Sequence, residues 1–190
     1  PPGYYGGQMT PAAMLRHFTA VADAAPIPIL LYNVPKFTHN NLRVDTVAEL
    51  SRHPNIIGIK DSTGDVAQLG ALLNSVAADF TVLVGTAGAF YAALALGCPG
   101  GILALANVAP GICVQIQEHV RCNRPDQAQR LQLRMLPVNA AVTGGYGVAG
   151  LKYALDRLGY YGGPPRAPLL PLEESGRQAI DRILTQAGLL

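Results

Sequence analysis

Tryptophan is absent from this chain of 190 residues, and charged residues are scarce. They make up 14% of the sequence, with 14 basic against 12 acidic side chains, so no basic excess indicates nucleic-acid binding. Long uninterrupted apolar runs are also missing, because prolines and glycines break the most apolar segments. The sequence therefore predicts neither a nucleic-acid partner nor a membrane span.

Cysteine is rare as well, with Cys98, Cys113 and Cys122 the three present. Cysteines in odd number without a CxxC pair are typical of a reducing compartment, and we expect the cytoplasm. His119 stands three residues before Cys122, but no second pair of ligands accompanies them, so we expect no metal site. The sequence begins at Pro1 in what reads as the middle of a motif, and we expect an earlier part to precede it. A transit peptide in that part would make the location mitochondrial.

Lysine is the third scarce residue, and the position of one lysine is informative. Lys36, Lys60 and Lys152 are the three lysines, and Lys60 ends the apolar run 56–60. Lysine is almost never buried unless it is paired or used. An amine shielded from water can lose its proton and act as a nucleophile, which is the chemistry of Schiff-base enzymes. The alternative is an amine that reaches past the strand end into solvent.

Strands and helices alternate along the first part of the chain. Apolar runs predict four strands, at residues 27–32, 56–60, 80–84 and 101–105. Helices are predicted at residues 11–24, 44–51, 64–77, 87–96, 111–122, 125–139, 147–158 and 173–187. Continuous apolar strands separated by helices are typical of a parallel sheet, in either a doubly wound or a closed eight-stranded form. Together with the incomplete beginning, they predict an α/β fold: the C-terminal half of a (β/α)8 TIM barrel over residues 1–122, then a helical C-terminal extension over 123–190.

Polar side chains stand at the carboxyl ends of the predicted strands, where chemistry gathers in parallel α/β folds. Tyr32 and Lys60 end successive strands, and Ser62 follows Lys60 at the spacing that puts both on one face. A phenol beside an amine can shuttle protons during imine chemistry. Tyr32 alone has an ordinary explanation as a core tyrosine, but the pair indicates a catalytic site. Gly85 and Asn107 end the third and fourth strands and are candidate substrate contacts.

Three segments carry a resemblance to a known family. Y-N-V-P at 32–35, G-I-K-D-S-T-G-D at 58–65 and G-I-L-A-L-A-N at 101–107 resemble the dihydrodipicolinate synthase / N-acetylneuraminate lyase family. The resemblance covers nearly the whole chain and keeps the order of the motifs. It implies a pyruvate-dependent class I aldolase on a barrel with a helical extension, acting on a small 2-oxoacid as a homo-oligomer, a tetramer or a dimer.

The resemblance also implies roles for individual residues. Lys60 is the expected Schiff-base lysine and Tyr32 the proton-relay phenol, so neither a metal nor an organic cofactor is expected. Residues 2–5 look like the end of the family's fourth strand, from which Tyr4 would reach a neighbouring subunit's site. Leu103 is expected to line the pyruvate pocket. The family's Thr/Ser-Gly-Glu loop, which holds the pyruvate carboxylate, has no counterpart in this sequence.

Two further features bear on the reaction. In the synthase branch a basic residue follows the Y-N-V-P motif by two positions, whereas this chain has Phe37 there, with Lys36 just before it. Segments 139–143 and 159–169, together with Ser62, look most like the 4-hydroxy-2-oxoglutarate aldolase branch. The resulting prediction is cleavage of 4-hydroxy-2-oxoglutarate to pyruvate and glyoxylate, with Ser62 contacting the distal carboxylate.

Two alternatives stay open. One is condensation of pyruvate with an aldehyde, as in 4-hydroxy-tetrahydrodipicolinate synthase. The other is a non-catalytic protein that binds pyruvate or another 2-oxoacid. A half barrel exposes sheet edges and apolar interior, so this segment alone is expected to be poorly soluble and inactive.

Overall fold

The computed structural model describes the backbone of residues 3–190 and the side chains from residue 5 onward. The chain divides into two compact units, one that ends at Ile102 and one that comprises Leu103–Leu190. The predicted boundary between barrel and extension, after residue 122, falls inside the second unit and stays a prediction.

The first unit alternates strands with helices. Its strands are β1 (Ile29–Asn33), β2 (Ile56–Asp61) and β3 (Thr81–Val84). Its helices are α1 (Pro11–Ala24), α2 (Pro35–Thr38), α3 (Val44–Leu50), α4 (Val66–Ser75) and α5 (Phe90–Ala95), with short 3-10 segments at Gly3–Gln8 and Ala87–Ala89. Helix α1 packs against α3, α3 against α4, and α4 against both α5 and β3.

Two of these helices begin where their sequence provides a cap. The Ala13 amide donates to Thr10 Oγ1 at 3.2 Å at the start of α1, and Pro11 occupies the first helical position, where no amide hydrogen is needed. At the start of α4 the carboxylate of Asp65 accepts hydrogen bonds from the amides of Ala67 and Gln68. This cap accounts for the position of Asp65, since a negative charge is favourable at a helix N-terminus.

The three strands form a parallel sheet in the order β1-β2-β3, as predicted for this part of the fold. Tyr32 pairs with Lys60 and Asn33 with Asp61 across β1 and β2, while Lys60 pairs with Leu83 across β2 and β3. Because side chains alternate along a strand, this register sorts them onto two faces. Six side chains on the helix-covered face are at most 1% exposed: Leu31, Asn33, Ile59, Asp61, Val82 and Val84.

The opposite face, which we call the open face, is accessible in part, although Gly58 on it is buried. It carries Leu30, Tyr32, Gly58 and Lys60, and among these Leu30 is 37% and Tyr32 52% exposed. A closed barrel fills this side with the side chains of further strands. In the described part of the chain the sheet is therefore a section of a barrel rather than a closed one.

The prediction of a fourth strand at 101–105 is wrong in its extent. Gly101 forms a single parallel bridge with Val84, and Ile102 donates its amide to the Val84 carbonyl at 3.0 Å. The chain then turns into a 3-10 helix over Ala104–Asn107, so an apolar run that reads as a strand pairs with β3 over only one step. The segment that resembles a strand end near the beginning also differs, since Gly3–Gln8 forms 3-10 turns.

The second unit is helical, as the sequence predicted. After the 3-10 helix come α6 (Pro110–Arg121), α7 (Pro125–Asn139), a π-helical turn (Ala140–Gly145), α8 (Gly147–Arg157) and α9 (Glu174–Gln186). Its fully buried side chains come from the 3-10 helix and from all four α-helices: Leu105, Ile116, Ala128, Met135, Val138, Ala154, Ile180 and Leu184. None of the helices in the described residues is long and apolar enough to cross a membrane.

The candidate active site at the strand ends

The side chains of Lys60 and Tyr32 meet on the open face at the carboxyl ends of β2 and β1. Their Cα atoms are register partners, and the Lys60 Nζ lies over the Tyr32 ring, 4.1 Å from its centroid. An aromatic face attracts a cation at this distance, so the ring orients the amine as well as bringing a phenol close to it. Sequence reasoning placed these two residues side by side, and the structure brings them together.

The pair is accessible from the open face. Among the described residues, Lys60 is half-buried and Tyr32 is 52% exposed, so the amine and the phenol both keep accessible surface. Leu83 flanks Lys60 from β3, and Leu30 lies two residues before Tyr32 on β1. The site therefore combines one amine, one phenol and an apolar floor, which suits a small carbonyl compound.

A buried carboxylate stands directly behind the pair, on the helix-covered face. Asp61 is 0% exposed, and its Oδ2 accepts hydrogen bonds from Asn33 Nδ2 at 2.7 Å and Gln68 Nε2 at 2.9 Å. Its Oδ1 accepts from the Thr63 amide at 3.0 Å and from the Thr63 hydroxyl. Burial of an ionised group is tolerated when several donors satisfy it, and here all four donors are neutral.

Two further amides extend this cluster towards solvent. Asn33 Nδ2 also donates to Asn41 Oδ1 at 2.8 Å, and Asn33 Oδ1 accepts from the Leu42 amide at 3.0 Å. The side-chain amides of Asn41 and Gln68 pair with each other, at 2.8 and 3.2 Å. We call Asn33, Asn41, Asp61, Thr63 and Gln68 the polar cluster; it joins β1, β2, the loop before α3 and the start of α4.

The main chain at the strand ends is equally well connected. The Ser62 amide donates to the Asn33 carbonyl at 2.8 Å, and the Gly85 amide donates to the Asp61 carbonyl at 2.6 Å. The Ser62 hydroxyl is buried without a hydrogen-bond partner among the described residues. A Cβ at Gly85 would come within 1.9 Å of that hydroxyl, so only glycine leaves room for Ser62 there.

The remaining predicted site residues are Tyr4, Ser62, Gly85, Leu103 and Asn107. The side chain of Tyr4 lies outside the described residues. Leu103 and Asn107 belong to the second unit, where Leu103 is buried and the Asn107 amide donates to the Ala104 carbonyl at 2.9 Å. Their roles, like those of Ser62 and Gly85, stay predictions.

Cys98 is a buried cysteine whose thiol is influenced by the charge of Asp61. Burial raises the pKa of its thiol, and the negative charge of Asp61 raises it further. Burial likewise raises the pKa of Cys113. A raised pKa disfavours the thiolate, which is the reactive form of cysteine. Among the described residues, no cluster of three or more potential metal ligands occurs.

Comparison with known proteins identifies the family. The family model described as "Dihydrodipicolinate synthetase family" matches residues 2–187. This chain belongs to that family. Over 189 residues it is 38% identical to the 4-hydroxy-tetrahydrodipicolinate synthase of Ruegeria pomeroyi, covering 98% of this chain and 64% of that protein. The expectation of family membership drawn from the three motifs is confirmed.

Solved structures of family members share the fold. A putative dihydrodipicolinate synthase from Thermus thermophilus is 38% identical, with a TM-score of 0.85 over 100% of this chain and 65% of that chain. The chloride-inhibited dihydrodipicolinate synthase of Acinetobacter baumannii, solved with pyruvate, is 31% identical, with a TM-score of 0.89 over 95% of this chain and 62% of that one. The chain thus spans less than two thirds of the length of these relatives. Over that part it shares their α/β barrel-type fold and C-terminal helices.

Sequence reasoning missed most of the polar cluster. Asn33 and Asp61 directly follow Tyr32 and Lys60 at the strand ends, where alternation turns their side chains to the opposite face, but the sequence does not show which groups they contact there. Asn41 and Gln68 carried no signal of their own, because a surface-like asparagine and a helical glutamine occur everywhere. The available clue was the parallel spacing: Tyr-Asn ends one strand and Lys-Asp ends the next.

Proposed function

We propose that this chain carries the Schiff-base site of a class I, pyruvate-dependent enzyme of the dihydrodipicolinate synthetase family. The observation that carries the proposal is the Lys60 amine held over the Tyr32 ring at the carboxyl ends of adjacent parallel strands. Chemistry in barrels of this kind is built at that end of the strands. Ser62 is the further residue for which a contact with the substrate is proposed below.

The first half of the reaction forms an imine. Lys60 Nζ, in its neutral form, attacks the C2 carbonyl of pyruvate to give a carbinolamine, whose hydroxyl group takes up a proton and leaves as water to give an iminium. Loss of a proton from C3 then converts the iminium into an enamine. Tyr32, within reach of the amine, is proposed to accept and return protons in these steps.

The second half makes a carbon–carbon bond. The enamine C3 attacks the carbonyl carbon of an aldehyde, the aldehyde oxygen takes up a proton, and water releases the product from Lys60. The lysine itself is the electron sink, so the chemistry needs no metal or organic cofactor. Ser62, with its unpartnered hydroxyl, is proposed to donate to a carboxylate of the substrate.

The direction of the reaction is proposed to be condensation, as in 4-hydroxy-tetrahydrodipicolinate synthase. The curated relatives with 36–38% identity over 98% of this chain carry that name, which supports condensation better than the cleavage of 4-hydroxy-2-oxoglutarate expected from the sequence. Cleavage is kept as a second candidate for one reason. Phe37, which is 71% exposed, occupies the position where the synthase branch has a basic residue.

Borohydride trapping tests the covalent step. The natural gene product that carries this chain is incubated with pyruvate, reduced, and digested for peptide mapping by mass spectrometry. We expect the added mass on the peptide that contains Lys60, and none on the peptides of Lys36 and Lys152. A folded protein that acquires no adduct would remove the aldolase proposal and favour the non-catalytic 2-oxoacid-binding alternative.

A pair of assays then separates the two reactions. With pyruvate present, we expect aspartate semialdehyde to be consumed faster than glyoxylate. The reverse order, together with release of glyoxylate from 4-hydroxy-2-oxoglutarate, would favour cleavage. Size-exclusion chromatography with light scattering on the same preparation tests the accompanying proposal of a homo-oligomer.

A further inference from the structure

Asp61 combines features that a strand-end residue does not need for folding alone. It is fully buried and accepts four hydrogen bonds through its carboxylate, while its main-chain carbonyl accepts a fifth from Gly85. In the described structure no lysine, arginine or histidine forms an ion pair with it. The carboxylate therefore accepts hydrogen bonds from neutral donors and, among the described residues, takes part in no salt bridge.

Asp61 and its partner Asn33 lie on the opposite face of the sheet from the proposed catalytic pair, Lys60 and Tyr32. Lys60 and Asp61 are consecutive in β2, and Tyr32 and Asn33 are consecutive in β1. Because side chains alternate, the Tyr32–Lys60 contact and the Asn33–Asp61 hydrogen bond lie on opposite faces, one residue apart along both strands. A slip or separation of the strand ends that loosens one pair also displaces the other.

We propose that Asp61 and Asn33 are positioning residues that hold the Lys60 amine against Tyr32. This inference rests on the proposed function for its catalytic meaning, although the geometry that it describes does not. Neither residue touches the substrate side of the sheet. They act by fixing the relative position of β1 and β2, and a misplacement of about 1 Å at a reacting group costs about a hundredfold in rate.

The direction of the hydrogen bonds makes the pair specific. Asn33 Oδ1 is committed to the Leu42 amide, so Asn33 must present its Nδ2 to Asp61. In Asp61→Asn, the side-chain oxygen of the new asparagine can stay opposite Thr63 and accept its hydrogen bonds. The new Nδ2 then faces Asn33 Nδ2 and Gln68 Nε2, so donor meets donor at both contacts. Turning Gln68 around relieves one of these clashes, but turning Asn33 leaves the Leu42 amide unpaired.

A reciprocal exchange restores the pattern in reverse. In Asn33→Asp combined with Asp61→Asn, the carboxylate at 33 still accepts from the Leu42 amide and also accepts from the new amide at 61. If Asn41 and Gln68 each turn their amides by half a turn, every donor again faces an acceptor. The double variant therefore keeps the link between β1 and β2 and differs from wild type in which strand carries the charge.

The test compares three variants with wild type: Asp61→Asn, the double exchange, and Asp65→Asn. The last makes the same chemical change four residues away at an exposed helix cap, where asparagine caps as well as aspartate. Two rates are measured in the natural gene product: borohydride trapping of pyruvate across a range of pyruvate concentrations, and labelling of Lys60 by trinitrobenzenesulfonate relative to labelling of Lys36 in the same molecule.

We expect Asp61→Asn to lower the maximal trapping rate at least tenfold, with the half-saturating pyruvate concentration within about twofold of wild type. In the same variant the Lys60/Lys36 labelling ratio should change at least threefold. The double exchange should bring the trapping rate and the labelling ratio back to within about threefold of wild type. Asp65→Asn should leave the trapping rate and the labelling ratio unchanged. A variant that merely unfolds in part would lower the amount of trapped protein, not the rate constant of the folded fraction.

If Asp61→Asn does not fold, Gln68→Ala replaces it in the test, because this substitution removes only one donor, at the half-exposed edge of the polar cluster. We then expect a smaller fall in the maximal trapping rate, about threefold. Wild-type trapping and labelling rates in folded Asp61→Asn, or a folded double exchange no better than the single variant, would overturn the inference. If wild type traps no pyruvate, the proposed function fails, while the labelling ratio still decides whether Asp61 positions Lys60.

Discussion

The two faces of the sheet end in polar pairs of opposite character. On the open face Lys60 and Tyr32 touch through an amine and an aromatic ring, and both remain partly accessible. On the helix-covered face Asn33 and Asp61 are at most 1% exposed and bonded on every side. A group that reacts must keep an unoccupied side for the substrate, whereas a group that holds strands together must leave none.

The comparison explains how one short motif serves two purposes. Consecutive residues of a strand face opposite sides, so Lys-Asp supplies one reactive and one structural group at the same height in the sheet. Tyr-Asn does the same on the neighbouring strand. Four experiments test whether the two faces differ in this way.

The largest effect is expected from Lys60→Arg, which keeps the positive charge and removes the nucleophile. Trapping of pyruvate should fall to background, because a guanidinium stays protonated and does not form the imine. The free energy of unfolding should change by less than about 1 kcal/mol, since the side chain is half-buried on the open face. Lys36→Arg is the matched control for trapping, measured by mass spectrometry; an adduct that survives Lys60→Arg would move the nucleophile elsewhere.

The second experiment compares neighbouring leucines on the two faces. Leu31 is 1% exposed and Leu30 is 37% exposed. Leu31→Ala should cost about 2–5 kcal/mol of unfolding free energy, the usual range for a buried leucine, and Leu30→Ala should cost clearly less. Urea denaturation measures both. Equal costs would contradict the difference in burial between the two leucines.

The third experiment tests the close approach at the end of β3. Gly85→Ala places a methyl group on the Ser62 hydroxyl and 3.0 Å from the Asp61 carbonyl, so strand ends must move apart. We expect a loss of about 1–3 kcal/mol, typical of overpacking. Gly111→Ala, in α6, meets nothing within 4 Å and should be neutral or stabilise by up to about 1 kcal/mol. Thermal or urea unfolding that ranks the two alike would remove Gly85 from the site's support.

The smallest effect concerns alkaline pH and Cys98. Burial first, and the charge of Asp61 second, raise the pKa of this thiol in the folded state. Its stabilising contribution is complete below the unfolded thiol pKa of about 8.5 and is lost as pH rises above it, by at most about 1.4 kcal/mol per pH unit. Cys98→Ala should flatten this part of the stability profile, and the exposed Cys122→Ala should not. Identical profiles above pH 8.5 would contradict the assigned burial.

Much of the fold was predictable because its signals are local. The Thr10-Pro11 and Gly64-Asp65 starts of α1 and α4, the apolar strands and the helical second unit all depend on short stretches of sequence. The fourth strand was mispredicted because a strand exists only where a partner pairs with it, and Gly101 alone meets Val84. Pairing is a property of the tertiary structure, which an apolar run cannot report.

The candidate site divides in the same way. The order of residues is enough to predict that a lysine and a tyrosine end successive parallel strands, since strand pattern and alternation place both at one edge and on one face. The folded chain is needed to show that the amine lies over the ring, and that Asp61 is buried among Asn33, Thr63 and Gln68. The reason is physical: alternation follows from the chain's own geometry, whereas the partner of a buried polar group depends on which distant segments the fold brings to it.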